Sequence, residues 1–177
     1  MQSSLKDLIR TIPDYPKKGI LFRDITTLLE DAKGFKATVD EMVKPLVDLN
    51  ISKVSGIEAR GFIIGGAIAY QLGVGFIPIR KKGKLPWDVI SQEYKLEYGS
   101  DSIEIHTDSV EPGETILLVD DLLATGGTVC AAIELIHKSQ GKVVACSFIV
   151  DLPDLGGQKK LLERNIEMFS LCEFDGI

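Results

Sequence analysis

Twice in this chain a short apolar run is followed by a stretch of helical periodicity and then by another apolar run, with almost nothing between them. KVSGI at 53–57, GFIIGGAIAYQLG at 61–73 and GFIPIR at 75–80 make one such unit. TILLVD at 115–120, TVCAAIELIHKSQG at 128–141 and KVVACSFIV at 142–150 make another. Consecutive strands joined through a helix run parallel, and a parallel sheet needs cover on both sides. The alternation therefore predicts the α/β class: a mostly parallel central sheet with helices on both faces and right-handed crossovers. Gly73 and Gly141 stand just past apolar-periodic stretches and read as helix C-caps. With 177 residues the chain suits one domain with a sizeable core.

The flanking segments are less regular. Ser4 followed by Asp7 reads as a capping box for a short helix with Leu5, Leu8 and Ile9 on its apolar stripe, ending before Pro13. Pro13, Pro16 and Gly19 mark a loop. Phe35, Val39, Met42, Val43 and Leu46 recur at helical spacing, and Pro45 should kink or end that helix. Residues 81–110 break the alternation with a polar excursion. Within it SQEYKLEY and SIEIHT alternate enough for a hairpin. An excursion of that length inside a compact domain is functional or disordered.

Charge and composition exclude several classes. The formal net charge is -6 and the sequence pI is about 5.0, the reverse of a nucleic-acid binder's balance. Apolar runs are interrupted well before the roughly 18 residues of a membrane span. The opening MQSSLKDLIR lacks the pattern of a secretory signal, so the expected compartment is the cytoplasm. Cys130, Cys146 and Cys172 are too widely spaced for a zinc site or a disulfide framework and read as small hydrophobes. His106 and His137 belong to no ligand set. One basic run, Arg80, Lys81, Lys82 and Lys84, is enough for a small anion without making the chain basic.

The most informative stretch is VDDLLATGGT from Val119. Asp120 and Asp121 close an apolar strand, and in open α/β sheets ligands bind beyond the carboxyl ends of strands. The turn from Ala124 through Thr125, Gly126 and Gly127 to Thr128 then opens a helix. A helix N-terminus presents free N–H groups and a positive dipole end, glycine lets an anion approach, and threonine adds hydroxyl donors. Carboxylates repel phosphate, but they accept hydrogen bonds from sugar hydroxyls or hold Mg²⁺ through water. One strand–turn–helix can thus grip a phosphorylated sugar. A Walker loop is excluded by the lack of Gly-Lys-Ser/Thr, and a dinucleotide fingerprint by the glycine spacing. Glu58, Ala59 and Arg60, in EARG, follow another strand end on the same rim. Arg60 there offers either planar donors to a phosphate or an ion pair to Glu58.

VDDLLATGGT resembles the phosphoribosyl-diphosphate motif of the type I phosphoribosyltransferases. PDYPKKGILFRDIT, GIEARGFIIGGAIA, RKKGKLP and LEYGSDSIEIH resemble the adenine branch of that family, in its usual order and over nearly the whole chain. The resemblance implies the type I phosphoribosyltransferase fold over residues 1–177, with an N-terminal base-binding hood at 1–31 and a catalytic-loop hairpin at 81–107. It implies transfer of a phosphoribosyl group from 5-phosphoribosyl 1-diphosphate to N9 of adenine, giving AMP and diphosphate in purine salvage, with Mg²⁺ carried by the donor and no direct protein ligand. It places the 5′-phosphate on 124–128, the ribose hydroxyls at Asp120 and Asp121, and the diphosphate at Glu58, Ala59, Arg60, Arg80, Lys81 and Lys84. Leu21, Phe22 and Arg23 are then the adenine pocket, with Phe22 stacking and backbone groups reading the amino edge. Asp24 orients Arg23 or caps the next helix. Glu97 and Tyr98 close over the reaction centre, and Glu97 is the candidate for the N7 proton. A homodimer is implied, with a basic side chain crossing from the second subunit. Trp87 has no assigned role. The alternatives are a phosphoribosyltransferase for guanine, hypoxanthine or xanthine, and a non-enzymatic sensor of the donor.

Overall fold

A computed structural model describes residues 4–95 and 99–176. In chain order its strands and helices begin with β1 (Arg10–Pro13), β2 (Leu21–Asp24), α1 (Thr26–Glu30), α2 (Ala32–Val43), β3 (Lys53–Ile57), α3 (Arg60–Leu72) and β4 (Gly75–Lys81). They continue with β5 (Val89–Lys95), β6 (Ser100–His106), β7 (Thr115–Leu123), α4 (Gly127–Lys138), β8 (Lys142–Asp151), α5 (Gly157–Leu162) and β9 (Glu167–Glu173). The main sheet has the order β5-β6-β4-β3-β7-β8-β9. Strands β4, β3, β7, β8 and β9 run parallel, and the β5–β6 hairpin is added antiparallel to β4. The excursion after Arg80 is therefore largely sheet: it widens one edge instead of standing off as a separate flap.

The apolar runs form central strands because both of their faces are covered. On β7, Ile116 and Leu118 join one core with Ile133 and Ile136 of α4. The alternate residues Leu117 and Val119 join a second core with Ile64 and Ile68 of α3 and Met42 of α2. A period of two thus serves two cores at once, and helices lie on both faces of the sheet. Glycine sets how close α3 can lie. A Cβ on Gly56 of β3 would fall 2.6 Å from the Gly61 carbonyl oxygen, and one on Gly61 would fall 3.0 Å from that of Val119. The N-terminus of α3 therefore sits directly on the two strands that carry the site.

Several boundaries differ from the sequence reading, each for a local reason. The Ser4–Asp7 capping box is present, but it caps a single 3-10 turn, Leu5–Leu8, and the chain then enters β1. Pro13 is tolerated there because β1 pairs only with β2, in a two-stranded sheet. Pro45 ends α2 in a 3-10 turn, Lys44–Leu46. At the end of α4, Gln140 takes the left-handed conformation at φ 65°. Gly141 is needed for space instead, since a Cβ would meet Val110 at 2.5 Å. β7 runs three residues past Asp120, through Leu123, because β8 continues beside it to Asp151. Elements α5 and β9 carried no legible pattern. Among the described residues no helix is long and apolar enough to cross a membrane.

One buried group is unusual. Asp151 at the end of β8 is fully buried, and neither carboxylate oxygen has a hydrogen-bond partner. Burial, and then the charge of its register neighbour Glu173, push its carboxyl above the ordinary value. An acid whose folded pKa is raised contributes stability that is complete below its unfolded pKa and is lost as pH climbs through the folded one. In melts from about pH 4 to about pH 8, wild type is expected to lose ground steadily to Asp151→Asn. A melting-temperature difference that stays constant across that range would contradict this account. Separately, Gly56→Ala is expected to cost about 1–3 kcal/mol in urea unfolding, because α3 must lift from β3. An unchanged urea midpoint would show that the contact yields freely.

Candidate active site

The path from β3 through α3 leads to β4 on one side, and the path from β7 through α4 leads to β8 on the other. Helices α3 and α4 pack into the two cores on opposite faces. The carboxyl ends of β3 and β7 therefore diverge where strand order reverses, which is where open α/β sheets leave a crevice. A cleft of about 540 Å³ opens there, lined by the β3–α3 turn, the end of β7 and the turn into α4.

Both carboxylates of the aspartate pair line this cleft. Arg60, the first residue of α3, places Nε 2.6 Å from Oδ2 of Asp121, whose side chain is 8% exposed. Arg60 therefore pairs with Asp121 and not with Glu58. Oδ1 of Asp120 accepts the Asp121 N–H at 2.9 Å. Burial, and then the charge of Asp121, hold the Asp120 carboxyl well above its usual range, and Arg60 only partly opposes this. The pair is thus a graded acceptor, with one charge matched by guanidinium and the other held in check by its neighbour.

Beyond Leu123 the chain turns through Ala124 and Thr125 to Gly126, at φ 76°, a conformation glycine adopts without strain. The first bond of α4 runs from the Cys130 N–H to the Gly126 carbonyl at 3.0 Å. The backbone N–H groups of Thr125, Gly126, Gly127 and Thr128 donate to no protein acceptor among the described residues, and all four residues line the cleft. Open amides at the mouth of a twelve-residue helix form an anion cradle.

The basic run divides. Lys81 lines the cleft and places Nζ 3.3 Å from Asp101 of β6. Arg80 turns sideways: its Nε lies 3.3 Å from Glu58 and its Nη1 donates to the Lys84 carbonyl at 3.0 Å. Glu58 also accepts the Lys81 N–H at 2.8 Å, so its carboxylate ties the end of β3 to the end of β4. The Glu58–Ala59 peptide is cis. Lys84 is exposed in the turn that follows, as is Trp87. Buried Glu104 of β6 organises that turn by accepting the Gly83 N–H and the Ser91 hydroxyl, each at 2.9 Å.

The hood approaches the cleft where the Arg60 guanidinium lies 5.5 Å from the centre of the Phe22 ring. Tyr15 packs edge-on against that ring at 5.2 Å. The Arg23 side chain points elsewhere. It donates to Thr11 at 2.6 Å and to the Asp175 carbonyl at 3.1 Å, and stacks on Phe174. Asp24 pairs with Arg10 at 2.9 Å and caps α1 through the Thr26 N–H, so it serves as a cap and does not orient Arg23.

Glu97 and Tyr98 lie outside the described residues. The hairpin does bring Tyr94 to the cleft, beside Gly127, with its hydroxyl 3.3 Å from Asp101. Burial raises the Tyr94 phenol, so it stays protonated. Sequence reasoning passed over Tyr94, although its inward position follows from the strand alternation of β5. It also passed over Gly157 and Lys160, which contact the cradle from behind and which no linear pattern links to VDDLLATGGT. Among the described residues no cluster of three or more His, Cys, Asp or Glu can hold a metal ion. The two aspartates suit a cation that arrives with its other oxygens already bound.

A profile of the phosphoribosyl transferase domain matches residues 26–172. An adenine phosphoribosyltransferase of Ruegeria pomeroyi is 59% identical over 174 residues, which span 98% of this chain and 97% of that protein. The crystal structure of adenine phosphoribosyltransferase from Thermoanaerobacter pseudethanolicus superposes with a TM-score of 0.93 at 48% identity, covering 96% of this chain and 98% of that one. The Saccharomyces cerevisiae enzyme, complexed with adenine and an imino-altritol bisphosphate, superposes with a TM-score of 0.88 at 35% identity, covering 95% and 96%. With its cleft at the switch point, its aspartate pair and its open amides, the chain belongs to the phosphoribosyltransferase family and, within it, to the adenine phosphoribosyltransferases.

Proposed function

We propose that this protein transfers the phosphoribosyl group of 5-phosphoribosyl 1-diphosphate to N9 of adenine, releasing diphosphate and AMP. The observation that carries the reading is the cradle of open amides at 125–128 set beside Asp120 and Asp121. Amides and threonine hydroxyls hold the 5′-phosphate, and the carboxylates accept the ribose hydroxyls. Diphosphate leaves toward Ala59, Arg60 and Lys81, where two cationic side chains and a helix N-terminus meet its growing charge. Arg80, Glu58 and Lys84 shape that wall, with the Glu58 carboxylate acting on the loop and not on the anion. Adenine lies against Phe22, between backbone groups of Leu21 and Arg23.

Asp120 and Asp121 would hold Mg²⁺ through water when it arrives on the donor, and the ion would neutralise charge on the diphosphate. The protein's own part is positioning and electrostatic stabilisation of an oxocarbenium-like transition state. In this reading the Glu97 carboxyl takes the N7 proton, and Tyr98 acts with it at the reaction centre. Water is kept from the cation while the site is covered. The relatives reported above are adenine enzymes, which favours adenine over other purines and an enzyme over a sensor.

A second copy of the chain completes the assembly in this reading. Ile63 and Tyr70 of α3 are 50% and 90% exposed, and between them Gly66 faces open space. Apolar residues two turns apart on an exposed face, with a glycine between them, suit a partner surface. The same assembly is expected in the cytoplasm.

Incubated with donor, Mg²⁺ and each of adenine, guanine, hypoxanthine and xanthine, the protein is expected to make AMP and little of the other nucleotides. Equal use of all four bases would remove the assignment of the base pocket. Glu97→Gln is expected to lower kcat by about a hundredfold or more with little change in KM for adenine. Full turnover in that variant would take Glu97 out of the proton step. Tyr70→Glu is expected to halve the mass seen by sedimentation velocity while the circular dichroism spectrum stays unchanged. A dimer that survives that substitution would place the interface elsewhere.

A further inference from the structure

The cradle is held from behind by a segment that lines no part of the cleft. The Ala124 carbonyl accepts the Gly157 N–H at 3.0 Å, and the Thr125 carbonyl accepts from Lys160 Nζ at 2.7 Å. A trans peptide is planar, with its C=O and N–H pointing in opposite directions. Turning the Ala124 carbonyl toward α5 therefore turns the Thr125 N–H away from α5. Turning the Thr125 carbonyl toward Lys160 does the same for the Gly126 N–H. Both of those residues line the cleft, and neither N–H has a protein acceptor among the described residues.

The fit behind the cradle is close. A Cβ on Gly157 would overlap the Ala124 carbonyl oxygen, and one on Gly126 would fall 3.0 Å from Gly157 Cα. The cradle and the start of α5 are thus in backbone contact, and Lys160 reaches over that contact, its Cδ lying 3.4 Å from where a Cβ on Gly126 would stand. Hydrogen bonds in series polarise one another, so a cation on the Thr125 oxygen makes the Gly126 N–H a stronger donor. The ammonium also adds a positive charge a few bonds from the bound dianion.

We infer that Lys160, with Gly157, is a positioning residue for phosphate binding: it fixes and polarises two amides of the cradle from the face away from substrate. The inference rests on the reading that the 5′-phosphate sits at 125–128. It explains why residue 157 is a glycine, and why a lysine of α5 is directed at a backbone carbonyl.

The test compares AMP with adenosine, which lacks the phosphate, by calorimetric titration of wild type, Lys160→Met and Lys160→Arg. Wild type is expected to prefer AMP strongly. Lys160→Met is expected to lose roughly five- to tenfold in AMP affinity and nothing for adenosine, with Lys160→Arg restoring most of the loss. Thermal melts of the free proteins are expected to coincide, which separates positioning from general stability. If wild type binds AMP and adenosine equally, the phosphate reading of the cradle fails and this inference goes with it. If wild type prefers AMP and Lys160→Met does so to the same degree, the Lys160 inference alone is overturned. An equal loss for both ligands would overturn it too, as damage to the whole cleft.

Discussion

Two carboxylates placed side by side near the end of a buried strand repel each other and lose water, and the rest of the site is arranged around that difficulty. Arg60 answers it for Asp121 at 2.6 Å, and the Asp121 N–H answers part of it for Asp120. Arg60 can do so because α3 starts directly against β3 and β7, which depends on the missing side chains at Gly56 and Gly61. The chain of cause therefore runs from two glycines to a helix position, from that to an ion pair, and from the ion pair to a tolerable pair of acids. A ligand rich in hydroxyls, or a cation, relieves the strain that remains. On the proposed reading, the hydroxyls of a sugar answer the electrostatics of this acid pair.

The opposite preference sits a few residues away. Past Leu123 the same chain offers four amides with no protein acceptor among the described residues, and these favour an anion. A single segment thus presents acid and then amide donors along the direction in which, on the proposed reading, a phosphorylated pentose lies. Discrimination by charge sign along one short path needs no large conformational change. It needs only that the turn be held, and the contacts from Gly157 and Lys160 hold it.

The parallel sheet, its two helical layers and the aspartate–amide segment were legible because each rests on local physics. Doubly buried strands must be continuously apolar, crossover helices must be amphipathic, and a helix mouth at a strand end has few uses. The β1–β2 pair was not legible because Pro13 and a short polar run hide a strand that pairs only once. Strand β9 and helix α5 were missed because their residues are only partly buried and follow no clean period. Within the site, Arg60 was found as a donor at the rim, and the alternative of an ion pair to Glu58 gives way to one with Asp121. Glu58 is its neighbour in sequence, whereas Asp121 is its neighbour in space. Arg23 was chosen from its place in a motif for its backbone groups, and its guanidinium bonds separately to the Asp175 carbonyl of the C-terminal segment. Residues that act across the fold, such as Tyr94 and Lys160, leave a trace in the sequence only through the elements that carry them.

The clamp behind the cradle bears on how the protein comes into being. A ribosome delivers the aspartates and the amide turn well before it delivers residues 156–160, and β8 must settle beside β7 before α5 can reach back to the Ala124 carbonyl. A chain that ends before residue 156 carries Asp120 and Asp121 but lacks the contacts that back the amides of 125–128. On the proposed reading, the grip on phosphate is complete only in a chain that extends through residues 156–160.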